Sequence, residues 1–172
     1  MTRLQRLSSE FGQSPWLDNL RRSYIADGTL KALVARGVRG LTSNPTIFQK
    51  AIQGSVEYDD QFSRLSADGL SIEQIYWEMV LSDIRGALDI FEPVYRSSHG
   101  VDGYVSVEVD PMLAHDTDGT LAAARDLRAR IAQSNVMIKV PATLEGLPAI
   151  RQLTAEGVSV NVTLIFSLER YS

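Results

Sequence analysis

Asn135-Val136-Met137-Ile138-Lys139-Val140-Pro141-Ala142-Thr143 is a short apolar run with one lysine near its end. Its length and its valine and isoleucine content predict a strand, whose period of two puts Met137 and Lys139 on one face and Val136, Ile138 and Val140 on the other. A cation is thus aimed into a buried layer. An ammonium taken out of water either finds a partner or gives up its proton, and a neutral, positioned amine is a nucleophile.

Outward from this run, helix and strand patterns alternate. Towards the N-terminus, strands are expected over 14–20, 38–44 and 104–110, and towards the C-terminus over 158–166. Val105, Val107 and Val109 face one way, while Tyr104, Ser106, Glu108 and Asp110 face the other. In the last strand Val158, Val160, Val162, Leu164 and Phe166 alternate with Ser159, Asn161, Thr163 and Ile165. Helices are expected from Asp27 or Gly28 to Gly37, over 46–53, over 71–96 with Ser71 as cap and Pro93 near its end, from Thr117 or Asp118 to Ile131, and over 145–155. Residues 1–13 read as a polar lead-in with a helical turn at 4–7, the stretch between 53 and 71 as a polar connection, and 167–172 as the start of another helix.

Strict β/α alternation implies a parallel sheet, either an open doubly wound sheet or a (β/α)8 barrel. Strands of an open sheet are covered on both sides and are apolar on both. Here one face carries Asp18, Thr42, Asn44, Ser106, Glu108, Lys139, Asn161 and Thr163, all towards strand C-terminal ends. That pattern suits a barrel with a polar inner rim. No Gly-x-Gly-x-x-Gly or Walker loop follows any strand, so no nucleotide-binding sheet is indicated.

The 172 residues, 44% hydrophobic and 22% charged, read as a single soluble domain over 1–172. A net charge of −4 provides no basic field for nucleic acid or anionic lipid. With no cysteine and two histidines in unrelated contexts, disulfides, thiolate catalysis and His/Cys metal sites are disfavoured, so neither metal nor cofactor is expected. No run approaches the ~20 apolar residues of a membrane span and no apolar leader is present, which places the chain in the cytoplasm.

The polar face suits carbonyl chemistry: an amine for a Schiff base, carboxylates to move protons, amides and hydroxyls to hold substrate. Each residue also has a plainer role. Lys139 can snorkel to solvent, Glu108 can form a buried ion pair with Lys139, Asp18 can serve a turn, and Asn44 before Pro45 can cap a helix. Asn161 and Thr163 can bond to neighbouring strands. Asp110, Asp116 and Asp118 read as loop and cap residues, and His115 as a surface residue.

Five ordered segments resemble the transaldolase family, in particular its longer bacterial branch, some members of which are fused to a phosphoglucose isomerase. They are Ser-Pro-Trp-Leu-Asp-Asn-Leu (14–20), Leu-Thr-Ser-Asn-Pro-Thr-Ile-Phe-Gln-Lys-Ala-Ile (41–52), Val-Ser-Val-Glu-Val-Asp-Pro (105–111), Met-Ile-Lys-Val-Pro-Ala-Thr (137–143) and Val-Asn-Val-Thr-Leu-Ile-Phe-Ser (160–167). The resemblance implies a metal-free class I aldolase barrel that moves a dihydroxyacetone unit between sugar phosphates in the pentose phosphate pathway. It implies Lys139 as the Schiff-base lysine, Asp18 as acid/base at the C4 hydroxyl, and Glu108 with Thr163 and a water as the proton shuttle. Thr42, Asn44 and Asn161 would hold the dihydroxyacetone hydroxyls and the enamine.

A (β/α)8 barrel runs to ~250 residues, and about five of its eight units are legible here, without the family's later phosphate-binding serine and arginines. The chain is therefore expected to be the N-terminal part of a transaldolase, inactive or very weakly active alone. Its open sheet edges invite homo-oligomerisation or other association. The alternatives are another class I lysine aldolase, such as one releasing free dihydroxyacetone from fructose 6-phosphate, and a non-catalytic half-barrel that assembles with another chain.

Overall fold

The computed structural model describes residues 1–171; Ser172, the last residue of the expected terminal helix, lies outside them. Five strands follow one another in the sheet as they do in sequence, β1-β2-β3-β4-β5. The pairs β1–β2 and β4–β5 are parallel. Sequential order is that of successive strands in a (β/α)8 barrel, whereas a doubly wound sheet reverses its order at a switch point. The fold is thus α/β with about five of the eight barrel units. Two compact units divide the chain, residues 1–105 and 106–172.

In the first unit, α1 (Arg3–Phe11) is longer than the turn expected at 4–7. A reciprocal cap decides this: Gln5 N–H donates to the Thr2 hydroxyl, and the Thr2 N–H donates to the Gln5 side chain. Strand β1 (Trp16–Asp18) leads to two helices where one was expected, α2 (Arg22–Ala26) and α3 (Thr29–Ala35), separated by Gly28 at φ 81°. Strand β2 (Gly40–Thr42) lies beside β1, and Trp16 pairs with Gly40. A Cβ on Gly40 would meet the Trp16 ring at 2.3 Å, so only glycine allows the indole to lie there.

Asn44 accepts the Ile47 N–H at 3.0 Å and caps α4 (Pro45–Gln53), with Pro45 at a position that requires no N–H. The polar connection expected between 53 and 71 contains a helical turn, Val56–Tyr58, and helix α5 (Asp59–Ala67). Polar composition hid α5, because few of its side chains are needed for docking: Leu65 joins the cluster of Ala51, Tyr58, Ile75 and Met79. Helix α6 (Ile72–Ser97) has the expected Ser71 cap but runs through Pro93 rather than ending there. Phe91 and Val94, buried on either side of the proline, hold that turn helical. Helix α6 buries Ile75, Leu81, Ile84 and Leu88 as well, with α2, α3 and α5 packed along it.

The second unit begins in β3 (Val105–Glu108). The turn Pro111–Leu113 follows, then α7 (Thr117–Ile131), capped by Asp116 through the Gly119 N–H at 2.9 Å. Strand β4 (Val136–Pro141) buries Val136, Ile138 and Val140 while Met137 and Lys139 stay only partly covered, as alternation requires. Helix α8 (Gly146–Ala155) closes at Gly157, φ 76°, and β5 (Val160–Thr163) pairs with β4. Val107, Val109, Leu127, Ile131, Ile138, Ala149 and Leu153 form the core of this unit.

The fifth strand is shorter than the expected 158–166, and its valine face is not a buried one. Pairing ends at Thr163, Leu164 turns left-handed at φ 66° and breaks the alternation, and Val162, Leu164 and Phe166 are exposed. A final turn, α9 (Leu168–Tyr171), follows. No helix among the described residues is long and apolar enough to cross a membrane.

Candidate active site

Parallel strands set side by side put residues of matching register on the same face. In the second unit Lys139 is the register partner of Asn161, and Pro141 of Thr163. The strand backbones are fixed by Ile138 N–H to Ser159 C=O at 2.9 Å, Ala142 N–H to Thr163 C=O at 2.9 Å, and Val109 N–H to Lys139 C=O at 3.2 Å. Lys139 therefore lies in the middle of a three-strand segment, one residue short of buried Val140, with β4 hydrogen-bonded on both sides.

Its ammonium stands 3.3 Å from Glu108 Oε2. Both side chains are mostly buried, 15% and 17% exposed, so the snorkelling role is excluded and the ion pair is present. A carboxylate held within one proton-transfer distance of an amine can both stabilise the ammonium and receive its proton. Asn161 donates from Nδ2 to Ser106 Oγ at 2.8 Å. Thr163 is half-buried at the end of β5.

The turn after β4 is held as tightly as the strand. Thr143 Oγ1 accepts the Gly146 N–H at 2.9 Å and donates to Ala114 C=O at 2.5 Å. A Cβ on Gly146 would come within 2.0 Å of Pro141 C=O, so α8 starts against the strand end only because residue 146 lacks one. Arg170 donates to Ala142 C=O. His115 is a surface residue, as expected, with Nδ1 3.1 Å from Glu145 Oε2. The Glu145 carboxyl is held below its usual range, first by a backbone N–H and then by His115.

In the first unit Asp18 and Thr42 are register partners at the C-terminal ends of β1 and β2. Asp18 is exposed. Thr42 Oγ1 is buried and, among the described residues, has no hydrogen-bond partner. A buried hydroxyl left unbonded is unfavourable, and such groups concentrate where a ligand completes them. Asn44 follows two residues on and fulfils its expected capping role. The structure thus groups the seven expected residues by unit: Asp18, Thr42 and Asn44 in one, Glu108, Lys139, Asn161 and Thr163 in the other.

Ser106 was legible only as one polar position on the β3 inner face. Its complete burial and its bond to Asn161 depend on a residue 55 positions away, which no local pattern signals.

The sequential parallel strands of this α/β fold define its class, an incomplete (β/α)8 barrel. The family model described as transaldolase/fructose-6-phosphate aldolase matches residues 15–172, and the chain belongs to that family. It is similar to transaldolase 2 of Nostoc punctiforme, 50% identical over 163 residues, covering 94% of this chain and 43% of that protein. The transaldolase of Saccharopolyspora erythraea is 52% identical over 164 residues, covering 95% and 44%. That of Thermobifida fusca is 52% identical over 169 residues, covering 98% and 46%. The chain spans less than half the length of these curated relatives.

Proposed function

We propose that the chain carries the Schiff-base centre of a transaldolase, transferring a dihydroxyacetone unit from a ketose phosphate, sedoheptulose 7-phosphate or fructose 6-phosphate, to an aldose phosphate. The observation that carries this reading is the buried Lys139–Glu108 pair at 3.3 Å, with Asn161 in register beside the lysine.

In this reading Glu108 takes the ammonium proton, and the freed Lys139 amine attacks the ketose carbonyl to give a carbinolamine. Glu108, with Thr163 and a water, returns a proton to the departing hydroxyl, so that water leaves and a protonated imine remains. That cation accepts the electron pair of the C3–C4 bond when the C4 hydroxyl loses its proton to Asp18. An aldose leaves and a dihydroxyacetone enamine stays on Lys139. The enamine then attacks the acceptor aldehyde, the same steps run backwards, and hydrolysis returns the lysine. Thr42, Asn44 and Asn161 hold the dihydroxyacetone hydroxyls. The roles of Asp18, Thr42 and Asn44 rest on the family resemblance. Residues 1–172 are read as the N-terminal part of one (β/α)8 barrel, cytoplasmic, acting on sugar phosphates in the pentose phosphate pathway and self-associating through strand edges.

Borohydride reduction in the presence of fructose 6-phosphate, followed by peptide mass mapping, tests the chemistry. The expected result is a dihydroxyacetone-derived mass on Lys139 that disappears in Lys139→Met. An adduct elsewhere, or none in a chain extended to the full eight-stranded barrel, overturns the assignment. With glyceraldehyde 3-phosphate as acceptor, a new ketose phosphate supports transfer, and release of free dihydroxyacetone alone supports the fructose 6-phosphate aldolase branch of the family.

A further inference from the structure

Past Glu108 the chain leaves β3, and a second set of bonds keeps it beside β4. At the strand end, Val109 N–H donates to Lys139 C=O at 3.2 Å, which fastens the residue after the glutamate to the lysine itself. Further on, Ala114 C=O accepts the Thr143 hydroxyl at 2.5 Å. The Thr117 hydroxyl donates to Glu145 C=O at 2.6 Å, and His115 Nδ1 lies 3.1 Å from Glu145 Oε2. Residues 114, 115 and 117 thus clasp the loop after β3 to the turn after β4.

Thr143 is the centre of this clasp, because both roles of its hydroxyl are assigned. A carbonyl can only accept and an amide N–H can only donate. Its hydrogen therefore goes to Ala114 C=O, and its oxygen takes the Gly146 N–H at 2.9 Å. Glu145, the residue before α8, makes no side-chain cap bond, so Thr143 also supplies an acceptor that the helix start needs. The Thr117 bond attaches to a turn whose shape Thr143 sets. The His115 contact is solvent-exposed and adds little.

The consequence falls on Glu108. Residues 109–114 and 139–143 form a ring, bonded between Val109 and Lys139 at one end and between Ala114 and Thr143 at the other. Inside it, Asp110 holds a turn by accepting the Met112 N–H at 2.8 Å and the Leu113 N–H at 3.0 Å. Opening the ring at Thr143 leaves the end of β3 tied through the Val109 bond, at the long end of the usual range. The 3.3 Å separation of Glu108 and Lys139 is what the resulting movement changes. A misplacement of about 1 Å can cost up to a hundredfold in rate.

We propose that Thr143 is a positioning residue that holds Glu108 against Lys139 by clasping the loop after β3 to the turn after β4. This deepens the Schiff-base reading of Lys139 and rests on it. Thr143 acts through Glu108 and does not touch substrate.

Hydrogen exchange at two backbone amides, followed by proton–nitrogen NMR on the intact chain, separates this role from helix capping. Thr143→Val keeps the size and removes the hydroxyl. It is expected to speed exchange about tenfold at Gly146, whose N–H it frees, and also at Val109, at the far end of the ring. Thr143→Ser, which keeps the hydroxyl, should restore both. A Val109 rate that does not move reduces Thr143 to a cap for α8 and overturns the proposal.

Borohydride trapping with fructose 6-phosphate reads the effect on the chemistry. Thr143→Val should lower the trapping rate at saturation about tenfold and leave the half-saturating ketose concentration within about twofold. Added to Glu108→Gln it should lower the rate no further, because both changes act through one carboxylate. A change in half-saturation alone, or losses that multiply in the double variant, would overturn the proposal. If Thr143→Val does not fold, Thr117→Val breaks the clasp from its other side and carries the Val109 and trapping arms. Where residues 1–172 alone trap nothing, the trapping arm is read in a chain extended to the full eight-stranded barrel. Absence of trapping there overturns the Schiff-base reading and the catalytic role of the clasp with it, while exchange at Val109 still decides whether the clasp exists.

Discussion

Tyr58→Phe removes one oxygen from a buried acid's hydrogen-bond shell and leaves the rest standing. Asp83, on the buried face of α6, is 2% exposed. Its Oδ2 accepts the Tyr58 hydroxyl at 2.6 Å and its Oδ1 accepts Arg22 Nε at 2.7 Å. The guanidinium lies 4.0 Å over the Tyr58 ring, and its remaining nitrogens donate to Gln61 at 2.7 Å and to Glu57 C=O at 3.2 Å. Burial pushes the Asp83 carboxyl above its ordinary value, and the bonds from Tyr58 and Arg22 offset this in part. Phenylalanine keeps the ring and its contact with Arg22 and deletes only the donor.

A hydrogen bond to a charged group contributes ~1.5–3 kcal/mol, so a loss of about 2 kcal/mol at neutral pH is expected. For a chain of this length that lowers the melting temperature by about 4–8 °C. Because the folded pKa of Asp83 is raised, its favourable contribution is fully present below the unfolded carboxyl's pKa and is lost as pH rises through the folded one. The Tyr58 O–H favours the ionised form, so deleting it raises the folded pKa further and steepens the loss. The deficit should therefore be largest at neutral pH and shrink on acidification towards the ~1 kcal/mol of a neutral bond. Urea unfolding of both proteins across this range measures it. A deficit independent of pH, or below about 0.5 kcal/mol, would refute the reasoning that this bond serves a buried carboxylate.

Thr42→Val should stabilise the fold by about 1 kcal/mol, since it replaces an unbonded buried hydroxyl with a methyl of similar size. It should also weaken ketose trapping; destabilisation on thermal melting would show that the hydroxyl is already bonded. Glu156, held first by Arg125 and then by Gln152, has its carboxyl lowered from 4.5 to about 2. Its contribution is present above the unfolded value and lost as pH falls through the folded one. Arg125→Ala should return its NMR titration midpoint towards 4.5, and no movement would show that the 2.5 Å contact is not formed in solution.

Much of the fold was legible because its signals are local. Alternation in Val105-Ser106-Val107-Glu108 and Val136-Met137-Ile138-Lys139-Val140 marked two strands and their faces, and Ser71, Asn44 and Pro45 marked helix starts. Where the local signal was weak or contested, tertiary packing decided. Helix α5 is polar and docks through a few side chains, Pro93 is carried through α6 by buried neighbours, and the valine pattern past Thr163 overran a strand that pairing had already ended.

The site divides in the same way. The sequence by itself determined that Lys139 and Glu108 lie on polar faces near strand ends, because side-chain direction follows from the backbone period. Only the tertiary structure decided that Lys139 meets Glu108, that Asn161 is tied to Ser106, and that Arg22, Tyr58 and Asp83 share one buried charge. Periodicity states which face a residue occupies. Its neighbour on that face is set by strand order and register, which bring together residues dozens of positions apart.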